Sequence, residues 1–203
     1  MDSDTYKTIK SSAEGIYKEK GSRFIAFAIP VSDQEEIKPI IERIRKDHHE
    51  ARHHCFAYMI GQERKIWRVN DDGEPSGTGG RPILGQINSN GLTNMLIVVT
   101  RYFGGTLLGV SGLINAYKTA AALAIGNAEI VERLLQDYYE VTFPYRCMND
   151  VMKILKEENI GQSGQSFDLE CRIILNFRAS IKDKILNRLL RIDGLKSSYI
   201  ETH

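Results

Sequence analysis

Arg101, Tyr102 and Phe103 end the longest apolar run of the chain, NMLIVVTRYF, and Gly104 and Gly105 follow at once. A guanidinium beside bare backbone suits an anion. The cation brings charge-assisted donors, and glycines ahead of a helix let a phosphate reach main-chain N–H groups. Tyr102 or Phe103 would offer a flat face to a base. The spacing meets neither the G-x-G-x-x-G nor the Walker pattern, so no nucleotide fingerprint is present. A plainer reading stands beside this one: the glycines allow a tight turn and close helix packing, and Arg101 pairs with a carboxylate.

Two further stretches carry reactive side chains. In NDDGEPSGTGGRP, Asp71, Asp72 and Glu74 precede a glycine-rich loop with Ser76, Thr78 and Arg81. Such carboxylates and hydroxyls can hold a divalent cation beside a phosphate. They are also ordinary turn residues that cap the helix expected at Pro82, and the turn role is the default. DHHEARHHC gathers four histidines and Cys55. HH-x3-HH lacks the second ligand pair of a zinc site, and neighbours on a strand face opposite ways. One of His53 and His54 is therefore expected inside, with the other on a surface shared with the glycine-rich loop. No cofactor or metal is expected.

The elements that must position these residues follow from periodicity. EGIYKEKGSRFIAFAIPV reads as two strands joined at Lys20 to Ser22. Ser32 and Glu35 form an S-x-x-E capping box for a helix with Ile37, Ile40, Ile41 and Ile44 on one face. Pro39 is awkward inside that helix unless the regular turns begin near Lys38. HHCFAYMIG and KIWRV read as strands, Pro82 to Gly91 as a short helix, and NMLIVVTRYF as a central strand buried on both faces. Val110, Leu113, Ile114, Tyr117, Ala120, Ala121 and Ala124 mark the core face of a helix that Gly126 can end. Beyond it, LLQDYYEVTFPY, a helix with Met148, Val151, Met152 and Leu155, two strands, a helix with Ile181, Ile185 and Leu189, and a last strand give the order βαββαβ. That is the split βαβ pattern of ferredoxin-like domains.

Composition excludes several classes. Among 203 residues, 27 Lys and Arg balance 26 Asp and Glu, so an overall basic footprint for nucleic acid is absent. The split is flat: residues 131–203 carry 11 of each sign. Of 17 glycines, 14 lie in residues 1–130, which sets that part off as a separate domain from 131–203. Three isolated cysteines, no apolar leader and no long apolar stretch read as a cytoplasmic protein with no membrane contact.

Taken together, ARHHCFAY, DDGEPSGTGGRPIL and VVTRYFGGTLLGVSGLINAY closely resemble the IMPACT/YigZ family along essentially the whole chain. The family pattern matches at His53, His54, Asp72, Gly73, Glu74, Pro75, Gly77, Thr78, Arg101, Tyr102, Gly104, Gly105 and Gly109. The resemblance implies an α+β protein. Its first domain is expected to be like the second domain of a small-subunit ribosomal protein, of left-handed βαβ type. Its second is expected to be ferredoxin-like, as in elongation factor G. Eukaryotic members act as translational regulators, which implies a link to RNA, the ribosome or a translation-associated protein. The favoured expectation is a non-enzymatic binder, with Arg101, Tyr102, Gly104, Gly105, Arg81, Thr78, His53, His54, Asp72 and Glu74 as candidate ligand-binding residues. Two alternatives stand beside it. One is an enzyme acting on a phosphorylated small molecule, or a hydrolase, using Asp72 or Glu74 with His53 or His54. The other is a protein-interaction module in the C-terminal domain.

Overall fold

The computed structural model describes residues 4–168 and 170–202. Residues 1–3, Leu169, which falls inside an expected hairpin, and His203 lie outside the described residues. The chain divides into two compact units. One runs Tyr6–Arg133, and the other takes the chain from Leu134 onward together with Asp4 and Thr5.

The larger unit contains β1 (Thr5–Ile9), β2 (Ala13–Glu19), β3 (Ser22–Pro30), α1 (Ile37–Asp47), β4 (His53–Ile60), β5 (Ile66–Asn70), α2 (Gly80–Ser89), β6 (Met95–Tyr102), α3 (Gly109–Gly126) and β7 (Ile130–Leu134), apart from the end residues Thr5 and Leu134. Five strands form one sheet in the order β2-β3-β6-β4-β5, while β1 pairs with β7 separately. Every neighbouring pair in the five-stranded sheet is antiparallel. Lys20 and Gly21 both have positive φ, the conformation that a two-residue hairpin turn between twisted strands demands.

The capping box lies one residue later than the sequence suggests. Glu36, not Glu35, accepts the amides of Ser32 and Asp33 at 2.8 and 3.0 Å, and Asp33 accepts that of Glu35 at 2.7 Å. The helix therefore starts at Ile37 and holds Pro39 in its first turn, where a missing N–H breaks no intrahelical bond.

Ile37, Ile41 and Ile44 of α1 pack on one sheet face with Phe56, Tyr58, Leu96 and Val98. Ile83, Ile87, Leu113 and Tyr117 of α2 and α3 pack on the other with Cys55, Ala57, Ile97 and Val99. β6 is thus covered on both sides. Both crossovers, β3–α1–β4 and β5–α2–β6, skip one strand. They use opposite faces, and they relate to each other by reversed strand direction and reversed travel across the sheet. Turning the sheet half a revolution about its normal superimposes direction and travel but leaves the helices on opposite sides. One crossover must therefore be left-handed, against the strong general preference for the right-handed form. The alanines of α3 bring it onto β2: a Cβ at Gly15 would stand 2.3 Å from the Ala124 nitrogen. Val110 and Ile114, expected on that core face, are instead 59% and 39% exposed. They sit at the edge of the apolar stripe.

The smaller unit contains β8 (Gln136–Pro144), α4 (Met148–Glu157), β9 (Gly161–Phe167), β10 (Glu170–Arg178), α5 (Lys182–Leu189) and β11 (Lys196–Thr202). LLQDYYEVTFPY is not one strand: it breaks at Leu135 between β7 and β8. The sheet order is β11-β8-β10-β9 with antiparallel neighbours, which realises the split βαβ arrangement. Val151 and Leu155 of α4 and Ile185 and Leu189 of α5 close its core over Val141, Ile173 and Leu175. Among the described residues no helix is long and apolar enough to cross a membrane.

Candidate ligand site at the start of the third helix

The glycine-rich loop is organised by Asp71. Its carboxylate accepts the amides of Gly77 (2.8 Å), Gly79 (2.9 Å) and Gly80 (2.8 Å), which closes the loop and supplies α2 with its cap. Burial pushes the Asp71 carboxyl up, but the three N–H donors outweigh it and hold it below the ordinary aspartate value. Gly79 and Gly80 are required by packing: a Cβ would meet Cys55 Sγ at 2.6 Å in the first case and the Asn70 nitrogen at 2.7 Å in the second. Thr78 is buried and donates its hydroxyl to the Pro75 carbonyl at 2.6 Å. Arg81 is exposed beside Gly77. Neither residue lines the cavity described below. The Thr78 hydroxyl thereby helps to close the turn.

Asp72 sits in the left-handed region with φ 44° and bridges three elements. It accepts the amide of His54 at 2.7 Å and Arg45 Nη2 of α1 at 2.5 Å, while its carbonyl lies 2.8 Å from His53 Nδ1. A carbonyl only accepts, so His53 carries its proton on Nδ1 and turns Nε2 toward Glu74, 3.9 Å away. His54 is buried on the other side of β4, with Nε2 3.2 Å from the His48 carbonyl. Burial lowers its pKa, against the opposing pull of that carbonyl and of Asp72.

Arg101 departs from the open anion site that its sequence context suggests. It is 5% exposed, and Nη1 donates to Glu74 Oε1 at 2.7 Å. The same Glu74 oxygen accepts the Tyr117 hydroxyl at 2.8 Å, so a buried triad joins the glycine-rich loop, β6 and α3. Burial raises both the Tyr117 hydroxyl and the neighbouring Cys55 thiol, which leaves each protonated. Gly104 also serves structure. Its amide donates to Ser22 Oγ at 3.1 Å, and a Cβ there would lie 1.9 Å from the Gly21 carbonyl carbon. Its amide is therefore engaged, while Gly105 faces open space with φ 86°. Tyr102 points to the opposite sheet face from Arg101, where its hydroxyl meets His48 Nδ1 at 2.8 Å under the Arg23 guanidinium. A strand cannot aim adjacent side chains at one ligand, so Tyr102 leaves the site.

What remains is a cavity of about 320 Å³ lined by Arg52, His53, Glu74, Pro75, Arg101, Phe103, Leu107, Leu108, Gly109, Val110 and Leu113. Of the candidate residues it brings together His53, Glu74 and Arg101. Sequence reasoning missed Arg52 and the apolar wall. Arg52 lies over the Phe103 ring at 4.8 Å, and Arg101 approaches the same ring at 5.5 Å. The available signals were Arg52 flanking the histidine pair and the unburied Leu107 and Val110 in GGTLLGV. The lining pairs one accessible guanidinium and a neutralised buried ion pair with aliphatic surface. Among the described residues no three His, Cys, Asp or Glu side chains gather as metal ligands.

Fold and site together define an α+β protein that carries a pocket of small-ligand size on a wholly antiparallel, helix-covered sheet. The Impact N-terminal domain family matches residues 20–125. The IMPACT family member YvyE of Bacillus subtilis is 38% identical over 153 residues, 75% of this chain and 70% of the relative. The Thermus thermophilus "IMPACT family member in pol 5'region" is 41% identical over 141 residues, 68% and 74% of the two chains. Protein IMPACT of Oryctolagus cuniculus is 34% identical over 96 residues, 45% of this chain and 30% of that protein. A solved structure titled "Crystal structure of an hypothetical protein" superimposes with a TM-score of 0.74 at 25% identity, covering 98% of both chains. The chain belongs to the IMPACT family.

Proposed function

We propose that this protein is a non-catalytic binder associated with translation, and that its larger unit takes single-stranded RNA across the pocket at the start of α3. The ribosomal-protein and elongation-factor likenesses implied by the sequence belong to this proposal. The observation that supports it is the allotment of charged groups. Asp71, Asp72 and Glu74, the carboxylates a hydrolytic or phosphoryl mechanism would use, are all held in structural hydrogen bonds. Arg52, by contrast, is exposed at the cavity and stacked on Phe103, where it can meet both a phosphate and a base. The neutral net charge fits a short contact better than a long nucleic-acid track.

Fluorescence anisotropy with a labelled single-stranded RNA, repeated at several salt concentrations, tests the reading. Binding is expected to weaken with a shallow salt slope of about −1 to −2, as one or two phosphate contacts would give, and Arg52→Ala is expected to reduce it. RNA affinity that is absent at low salt, or unchanged by Arg52→Ala, would overturn it. A Glu74-dependent turnover of phosphoesters would favour the enzymatic reading instead.

A further inference from the structure

We propose that the cavity at the start of α3 binds a small organic monocarboxylate with a branched aliphatic body. This goes beyond the RNA reading and does not depend on it. The charge count points to a single negative group. Arg101 is neutralised by Glu74 at 2.7 Å, which leaves Arg52 as the accessible full charge on the wall. The N-terminus of α3, an 18-residue helix, adds a partial positive charge beside Gly109, with no side-chain cap and no acidic residue in its first turn. Glu74 on the same wall opposes a dianion.

A second, independent observation is an unfilled donor. Arg101 is nine-tenths buried, lines the cavity, and has no hydrogen-bond partner for Nε among the described residues. Buried donors without partners are rare and costly; Nε is closed to water as the side chain stands, so a carboxylate beside the guanidinium would satisfy it through a small shift of the Arg101 side chain. The body of the ligand is set by the rest of the wall. Leu107 and Val110 stand 83% and 59% exposed at the mouth, with Leu108 and Leu113 buried behind them. A branched chain of four or five carbons would cover these aliphatic groups while its carboxylate reaches Arg52. A volume of about 320 Å³ suits a ligand of that size and excludes a folded partner.

The test uses the full-length protein labelled with nitrogen-15, with the side-chain Nε–H signals of Arg52 and Arg101 as readout. Titration with sodium 4-methylpentanoate is expected to shift both signals and saturate with a Kd on the order of 1 mM, ordinary for so small a ligand. The uncharged isostere 4-methylpentanamide is expected to leave them in place, and phenyl phosphate at pH 8 to bind more weakly than the carboxylate. Arg52→Gln and Leu107→Ser change exposed side chains, so the fold should persist. Each is expected to weaken carboxylate binding at least about fivefold, the size of one charge-assisted hydrogen bond or one covered aliphatic group. No shift at about 50 mM, far above the Kd expected of such a ligand, would overturn the proposal. So would equal response to the amide, tighter binding of phenyl phosphate, or unchanged affinity in both variants. RNA anisotropy on the same variants reads the other proposal separately.

Discussion

Glu74 and Arg101 meet at 2.7 Å with only 3% and 6% of their side-chain surfaces exposed. Removing one partner of such a pair strands a buried charge, whereas removing both is far less harmful. Glu74→Leu and Arg101→Met are each expected to cost about 3–5 kcal/mol in urea unfolding. The double replacement Glu74→Leu with Arg101→Met is expected to recover most of that loss. A coupling energy near zero across the four proteins would show that the pair contributes nothing as a unit.

Three glycines separate packing from freedom. Gly104→Ala and Gly15→Ala place a methyl group against backbone at 1.9 and 2.3 Å, so each is expected to destabilise by at least about 1–3 kcal/mol, the range for overpacking. Gly85 lies inside α2 with open space around its missing Cβ. There Gly85→Ala is expected to stabilise by about 0.5–1 kcal/mol. Thermal unfolding of the three variants checks the opposite signs.

Acid should weaken the larger unit in two stages. The pKa of His54 is lowered by burial, so its contribution is full above the unfolded histidine value of about 6.5 and declines as pH falls through the folded one. The carboxyl of Asp71, burdened by burial but lowered on balance by its three amide donors, contributes fully above the unfolded aspartate value of about 3.9. That contribution is lost at lower pH. His54→Phe is expected to flatten the first stage and Asp71→Asn the second, measured as unfolding free energy between pH 7 and pH 3.

In the smaller unit, Asp4 accepts Arg178 Nε and Nη2 at 2.9 and 3.0 Å and the Ser180 hydroxyl at 2.5 Å. These donors, Arg178 foremost, hold its carboxyl at about 2. Arg178→Ala is expected to return it most of the way to the ordinary aspartate range. Carbon-13 titration of the carboxyl signal measures this directly, and an unmoved midpoint would show that Arg178 is not the cause.

The fold was legible where local patterns decide it. Apolar stretches flanking short turns marked β2, β3 and β4, the isoleucine stripe marked α1, and the continuous apolar run marked β6 as central. The site was less so. Arg101 looked free because its partners are distant in sequence: Glu74 lies 27 residues before it, and the triad's Tyr117 is 43 residues from Glu74. Period-two reasoning, applied through the end of the strand, separates Arg101 from Tyr102, since Arg101 follows Val99 and Ile97 onto the α3 face. The apolar wall was hidden for another reason. Val110 has the helical spacing of a core residue, and only the position of the stripe edge decides that water reaches it.

The placement of β6 carries a consequence for the order of assembly. The hairpins β2–β3 and β4–β5 close from neighbouring sequence, yet they share no strand contact until β6 arrives between them. During vectorial synthesis both halves must wait, with the inner edges of β3 and β4 unpaired, for a keystone ending at Tyr102. That interval, rather than the finished sheet, is where this chain is most exposed to self-association.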